Sequence, residues 1–360
     1  MGSPGSATSP PGSSTRPSGS PTSPPESAPQ SALRRLLPVP AIAVGVLALG
    51  GGLVAVSYAG PTAPHLAEML PPVIALIAYV LLYSKRAVTL ATQRRPVERW
   101  RIGCFVGGVV LMSVVQVGPF DALADELLVY HMTQHIIIGE VASFFVVVGL
   151  TGPLLQPLLS MRISRILRPA INPAVALVLW AADLYLWHTP FFYQLAIRHD
   201  LIHALEHACF FWFGLCFWLG LIGPLPKPRW FGNWARLWYV IGARLAGSGI
   251  ANALIWIPVV FYPYYRAADL RNGLTPLEDQ KLAGGVMMLE QILLGVALLT
   301  WLMLRAFRQD DERQALLDLA EDHGLEITDA RAARAVASGE VATTRLRRLI
   351  ESAPVESSAD

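Results

Sequence analysis

The sequence predicts an all-α fold, a polytopic bundle of transmembrane helices. Of its 360 residues, 53% are hydrophobic and only 15% are charged, whereas soluble domains carry roughly 25% charged residues. The mean hydropathy is +0.45. Apolar stretches close to the ~20 residues needed to cross a bilayer also recur along the chain. These three observations together favour a chain that lies mostly in lipid.

About eight stretches are long and apolar enough to be spans, and the breaks between them are short and rich in Pro, Gly or charge. The predicted spans are 39–58, 66–84, 101–118, 127–150, 174–194, 203–223, 236–262 and 282–304. Ser57-Tyr58-Ala59 resembles a small-x-small cleavage site, which leaves open whether the first span is a removed signal. The other seven spans keep their orientation in either case.

The two ends differ from the middle of the chain. Twenty-one of the first thirty residues are Gly, Ser or Pro, a composition that buries too little apolar surface to fold. We therefore divide the chain into a disordered tail (1–38), a transmembrane bundle (39–305) and a polar extension (306–360).

Positive charge predicts the orientation of the bundle. The even-numbered breaks hold twelve basic residues, against four in the opposite breaks. The basic side comprises Lys85, Arg86, Arg94, Arg95, Arg99, Arg101, Arg162, Arg165, Arg168, Lys227, Arg229 and Arg236. By the positive-inside rule this side is cytoplasmic, as are both termini. We expect a multi-pass protein of the plasma membrane.

Five histidines then fall in one shallow layer at the extracytoplasmic ends of three spans. His131 and His135 are four residues apart, as are His203 and His207, so each pair shares a helix face. His188 lies near the outer end of the span between them. Such polar groups normally face the interior of a bundle. Neutral imidazoles suit Cu, Zn, Fe or Ni, so the layer predicts an accessible metal site.

Other polar groups near this layer are auxiliary candidates. Glu206, between the paired histidines of one span, and the deeper Asp183 are possible acceptors that orient an imidazole. Met132 is a possible soft donor to copper, although packing in the core is the simpler role. Cys104, Cys209 and Cys216 show no metal-binding spacing.

At these motifs the sequence resembles the CtaG-type (caa3-type) cytochrome c oxidase assembly factors of Gram-positive bacteria. The resemblance covers about residues 65–305, seven spans, and leaves the N-terminal span outside. It rests on the stretches 130–135, 186–193, 198–207 and 278–285. His199 and Asp279 belong to these stretches and join the auxiliary candidates. Where the family usually has Ala-Pro-Pro, this chain reads Ala142-Ser143-Phe144, from which we expect a straighter helix.

The resemblance implies a factor that binds copper and delivers it to cytochrome c oxidase subunits, with other assembly factors as further candidate partners. One alternative is a b-type cytochrome or haem-dependent redox protein, with His131 and His203 as axial ligands. Another is a metal transporter, for which Arg244, Glu140 and Glu290 inside predicted spans are modest hints. The chain has no Walker A, GxSxG, HExxH or GxGxxG signature, so no enzyme is predicted. Its basic residues follow the membrane rule, so no nucleic-acid partner is predicted either.

Overall fold

The computed structural model describes residues 66–116, 118–161, 169 and 172–352. The predicted first span and the N-terminal tail lie outside these residues, as does His65. Within them the chain is helical and contains no strand. The predicted all-α class is therefore confirmed for the described part of the chain.

Helices follow one another with short connections. In chain order they are α1 (Leu66–Thr92), α2 (Arg99–Val115), α3 (Pro119–Glu126), α4 (Leu128–Gly149), α5 (Gly152–Ser160), α6 (Pro173–Trp187), α7 (Pro190–Arg198), α8 (Asp200–Leu221), α9 (Asn233–Trp256), α10 (Arg266–Arg271), α11 (Pro276–Asp322), α12 (Asp329–Ala337) and α13 (Glu340–Glu351). A single 3₁₀ turn, Pro263–Tyr265, precedes α10.

The described residues do not confirm the predicted number of spans. By length and composition, α4, α8 and α11 each suffice to cross a membrane, and α2–α3 and α6–α7 qualify if each bent pair counts as one span. The described residues thus give three to five apolar spans, and eight are not confirmed. Helices α1 and α9 do form at two further predicted positions, but α9 carries a buried arginine at its centre.

Proline sets the bend between α6 and α7. The two helices differ in direction by 73°, and Pro190 occupies the first turn of α7. Proline has no backbone N–H to donate to the preceding turn, so α6 ends and a new helix begins. The predicted span 174–194 is therefore broken just after His188, and α7 turns across the end of the bundle.

Helix α4 is irregular where we expected it to be straighter. Residues Leu128–Ile136 and Ser143–Gly149 are α-helical, but Ile137–Ala142 between them is a π-helix. The Ser143 hydroxyl donates to the Gly139 carbonyl within this wide turn. A π turn changes which residues share a helix face, so Glu140 points to a different neighbour than a regular helix would give it.

Three helix pairs make close backbone contact in the bundle. A methyl group added at Gly214 of α8 would overlap the Gly139 carbonyl of α4, and one at Gly284 of α11 would lie 2.8 Å from the Ala251 carbonyl of α9. One at Gly108 of α2 would lie 2.7 Å from the Ala142 carbonyl of α4. Small residues allow helices in a membrane to approach this closely, so the α4–α8, α9–α11 and α2–α4 pairs are tightly packed.

Beyond the bundle, the polar extension folds on its own small core. Helices α12 and α13 pack against the last turns of α11. The buried residues of this core are Leu316, Ala320, Ala332, Val336, Leu346 and Ile350. The extension is thus a compact helical unit as far as Ser352.

Candidate metal centre

Four histidines from α4 and α8 meet inside the bundle. One ring nitrogen from each of His131, His135, His203 and His207 lies within 4.8 Å of the other three. We call these four residues the histidine tetrad. Its rings are 5.3 Å apart between His131 and His203, and also between His135 and His207, measured centroid to centroid. The i, i+4 spacing within each helix therefore predicted the correct faces.

The contact between α4 and α8 explains why the two pairs face each other. Gly139, about one turn after His135, and Gly214, about two turns after His207, bring the helix backbones together. Phe210 fills the intervening space, with its ring 4.5 Å from that of His135. The tetrad thus lies where the two helices begin to separate towards the end of the bundle.

All four histidines are buried. Their exposed fractions are 1% for His131, 5% for His135, 7% for His203 and 6% for His207. The prediction of accessible imidazoles is therefore wrong. Depth along a helix gives the distance to the membrane surface, but it carries no information about loops that fold over the helix ends.

Three tyrosines, which we call the tyrosine cover, close one side of the tetrad. The Tyr193 and Tyr265 rings lie 5.2 and 6.4 Å from that of His131, and their hydroxyl oxygens are 2.7 Å apart. Tyr262 packs on Tyr193 at 4.0 Å and donates to the His188 carbonyl at 2.7 Å. Nothing in the local sequence pattern identified this cover, because Tyr262 and Tyr265 come from a distant loop.

That loop is fastened to the bundle by one glutamine. The Gln280 side chain accepts from the Phe261 backbone N–H at 2.8 Å and donates to the Val259 carbonyl at 3.0 Å. Backbone groups in an irregular segment need such partners when water is excluded. Gln280 therefore holds the loop, and with it two of the three tyrosines, against the tetrad.

Another side of the tetrad borders empty apolar space. His207 lines a cavity of about 370 Å³ between α1, α2 and α8. Tyr79, Phe105, Met112 and Phe211 contribute to its walls. The tetrad is thus separated from the end of the bundle by aromatic rings and bordered laterally by a space that suits apolar molecules.

His188, the fifth predicted ligand, lies beside the tetrad and outside it. Its ring is 6.4 Å from that of His135, and its Nδ1 is 2.7 Å from the Leu184 carbonyl. Its Nε2 is buried with no hydrogen-bond partner among the described residues. His188 therefore lies close enough to support His135, but it is not one of the four residues whose ring nitrogens converge.

The two acidic auxiliary candidates differ in what they contact. One Glu206 oxygen lies 3.9 Å from Nε2 of His135, and Glu206 is 1% exposed. Asp183 instead accepts a hydrogen bond from the Trp187 indole at 3.0 Å. Glu206 is thus the carboxylate available to the tetrad, whereas one Asp183 oxygen already has a partner.

Asp279 has a structural contact that its sequence position did not suggest. Its two carboxylate oxygens accept the backbone N–H groups of Leu128 and Val129 at 2.6 and 3.1 Å. These are orphan donors at the start of α4, and a carboxylate also suits the positive end of the helix dipole. Asp279 therefore fixes the helix that carries His131 and His135.

Neither of the remaining auxiliary candidates joins the tetrad. Met132 is 1% exposed and packs in a core cluster with Leu128 and Met287. His199 is exposed at the start of α8, where its backbone carbonyl accepts from His203 at 3.0 Å. The tetrad consequently contains nitrogen donors only.

Unpaired nitrogens make the tetrad suited to a metal ion. Both ring nitrogens of His135 and Nε2 of His207 are buried without a hydrogen-bond partner among the described residues. The two ring nitrogens of His131 also have no hydrogen-bond partner by geometry, although the Ala124 carbonyl faces that ring. Buried polar atoms are normally paired. A tetrahedral metal ion bound at about 2.0–2.1 Å holds its nitrogens about 3.4 Å apart. The tetrad nitrogens, which lie within 4.8 Å of one another, would therefore have to move together to hold one ion.

These features define a helical membrane protein with a buried polyhistidine site. The family model described as cytochrome c oxidase caa3 assembly factor (Caa3_CtaG) matches residues 77–309, a range that includes all five histidines. The chain belongs to this family. No curated protein and no solved structure gave a significant match.

Proposed function

We propose that this chain supports the assembly of cytochrome c oxidase by binding copper in the histidine tetrad and supplying it to an oxidase subunit. The observation that carries the proposal is the convergence of four buried imidazole nitrogens within 4.8 Å. Family membership supplies the oxidase as client. Imidazole is a good donor for copper, which binds nitrogen sites more tightly than the other first-row divalent metals.

The neighbouring groups support a bound cation. Glu206 places a carboxylate oxygen 3.9 Å from the His135 ring, so it offers a counter-charge in a site that excludes water. Copper would be bound by His131, His135, His203 and His207, with Glu206 and His188 orienting His135. The tyrosine cover would have to move for copper to enter or leave on that side.

A haem is less compatible with the packing. Bis-histidine ligation requires a gap the size of the macrocycle between two facing imidazoles. His135 and His207 lie beside the facing pair His131 and His203, at ring distances of 4.4 and 4.3 Å within each helix. Four rings therefore fill the space that a haem bound between His131 and His203 would need.

The test is to purify the full chain from copper-supplemented cells as wild type, as a His131→Ala/His203→Ala variant and as His199→Ala. We expect bound copper in the wild type and in His199→Ala, because His199 is exposed outside the tetrad. The double variant should retain less than a tenth of it. Equal copper in all three proteins would rule out the tetrad as the copper site, and a Soret band would favour haem.

Delivery requires a second measurement in cells. In cells whose only copy of the protein is the double variant, we expect cytochrome c oxidase to contain less copper and to be less active than in cells that carry His199→Ala. Copper-replete, active oxidase in those cells would contradict the delivery role even if the purified chain binds copper.

A further inference from the structure

A second polar cluster, formed by Glu140, Arg244 and Glu290, lies away from the tetrad, and we call it the charged triad. The Arg244 guanidinium donates to Glu290 at 2.7 Å through Nη1 and to Glu140 at 3.3 Å through Nη2. Glu140 and Arg244 are 7% and 8% exposed, and the Glu290 side chain is 12% exposed. Three helices, α4, α9 and α11, thus contribute one ionisable group each.

The triad lies near the middle of the helices that carry it. Arg244 is eleven residues after Asn233 and twelve before Trp256, the ends of α9. Glu140 is twelve residues after Leu128 and nine before Gly149. At 1.5 Å per residue, each is about 13 Å or more from either helix end. Water at the membrane surface therefore does not solvate these charges.

The formal charges of the triad do not balance. One guanidinium carries +1 and two ionised carboxylates carry −2, a net charge of −1. Among the described residues, the ion pairs of both carboxylates are with Arg244. An unbalanced charge inside a bilayer is strongly unfavourable, so the triad needs one more monovalent cation.

The groups packed around the triad are neutral and cannot supply that charge. The Gln291 amide donates to Glu290 at 2.6 Å, and the Trp218 indole donates to the Glu140 backbone carbonyl at 3.0 Å. The Trp180 indole faces Glu140. The nearby Tyr239 hydroxyl donates elsewhere, to the Phe217 carbonyl at 3.0 Å. These contacts come from α6, α8, α9 and α11. Helix α2 also packs against the π turn, and its charged residues, Arg99 and Arg101, lie in its first turn.

Two buried oxygens of this region lack a hydrogen-bond donor. By geometry, Oε1 of Glu140 and Oε1 of Gln291 have no hydrogen-bond partner among the described residues, although the Trp180 indole faces Glu140. Both residues are 7% exposed. What is missing is thus a donor or a cation, which is the same conclusion that the charge count gives.

We propose that the charged triad is a proton-binding site, in which Glu140 and Glu290 together hold one proton taken from water and remain neutral overall with Arg244. The proton converts one carboxylate to a carboxylic acid and restores charge balance without a metal. The π turn of α4 supplies the acid at this depth, and such turns occur frequently at functional sites. The site is independent of copper binding in the tetrad.

The direct test is infrared spectroscopy of the full chain in lipid nanodiscs at neutral pH, with exchange from H₂O to D₂O. The wild type should show a deuterium-sensitive C=O band of a protonated carboxylic acid. Glu140→Gln and Glu290→Gln should each lose the part of this band that comes from the triad, because either change leaves one carboxylate paired with Arg244. Asp183→Asn, at a buried carboxyl outside the triad, should retain that part. Band intensities and positions in both glutamine variants equal to those of the wild type would overturn the proposal, whereas a weaker band common to all the proteins belongs to other carboxyls such as Asp269.

Thermal unfolding distinguishes a proton from another cation. The melting temperature of the wild type should fall as the pH rises from neutral to alkaline values, since the proton is lost from the folded state. Glu290→Gln should show a smaller fall. Replacing choline by Na⁺ at constant pH should not change the melting temperature of either protein. A rise in the wild-type melting temperature with Na⁺, absent in Glu290→Gln, would instead assign the site to Na⁺ and overturn the proton.

Discussion

The histidine tetrad and the charged triad are both buried polar clusters that include residues of α4, yet they differ in how their polar atoms are paired. In the triad, Arg244 contacts both carboxylates directly. In the tetrad, ring nitrogens of His135 and His207 have no partner among the described residues. The comparison teaches that burial alone does not define what a site binds. The triad contains its own guanidinium, which stabilises the bundle and leaves a single charge for a proton to balance, whereas the tetrad contains only imidazole donors and is suited to a metal ion.

The largest expected effect is on stability, from breaking the triad. Arg244→Met leaves two buried carboxylates without their cation, and we expect the free energy of unfolding to fall by about 3–5 kcal/mol. His135→Leu in the metal-free protein should change it by less than about 1 kcal/mol, because no hydrogen bond is lost.

Thermal unfolding of both variants checks this difference, with Arg198→Met at an exposed position as the control. Similar losses for Arg244→Met and His135→Leu would remove the distinction between the two clusters.

The next effect concerns the helix contact that forms the tetrad. Gly214→Ala would push a methyl group against the Gly139 backbone carbonyl, which no side-chain rotation relieves. We expect a loss of about 1–3 kcal/mol and weaker copper binding, because α4 and α8 separate.

Gly103→Ala is the matched control, since nothing lies within 4 Å of the added methyl group. It should be neutral or stabilising by up to about 1 kcal/mol. Unchanged copper affinity in Gly214→Ala would show that the tetrad does not depend on this contact.

A smaller effect is expected from the tyrosine cover. Tyr265→Phe removes the 2.7 Å contact between the Tyr265 and Tyr193 hydroxyl groups, at a cost of about 1 kcal/mol. Copper should then pass to an external chelator several-fold faster than in the wild type. Tyr264→Phe, at a half-exposed neighbour, should transfer copper at the wild-type rate. Equal rates for all three proteins would mean that the tyrosines do not limit exchange.

The last effect is a pH dependence at Asp269 of α10, which lies beside the start of α11. Burial, followed by the neighbouring Asp279 carboxylate, raises the pKa of Asp269 to about 7. Since an unfolded Asp has a pKa of about 3.9, Asp269 stabilises the folded state below about pH 4 and this contribution is lost as the pH rises to about 7. Asp269→Asn should flatten the dependence of the melting temperature over this range. An unchanged slope would contradict the raised pKa.

The sequence predicted those features that depend on local spacing. Helical periodicity was enough to pair His131 with His135 and His203 with His207, and the order of the spans brought the pairs to the same end. Features made by distant residues were not predictable. The tyrosine cover depends on how the loop after α9 folds, and Asp279 acquires its role only because α11 packs beside the start of α4.

The count of eight spans, which is not confirmed, and the expectation of a straighter α4 had a different basis. Hydropathy measures composition, whereas the break after His188 follows from Pro190 and the π turn is a backbone irregularity over Ile137–Ala142. A pattern of apolar residues contains neither. The family resemblance, by contrast, rested on particular residues, and the match over residues 77–309 confirms it.

The most direct test of the tetrad is X-ray absorption spectroscopy of the copper-loaded full chain. The predicted spectrum has imidazole nitrogens as the only protein ligands, because Met132 and Cys209 lie outside the converging set. A His131→Gln/His203→Gln variant, loaded in the same way, should lose this signature. Sulfur in the first coordination shell, or an identical spectrum from the variant, would contradict copper binding by the tetrad.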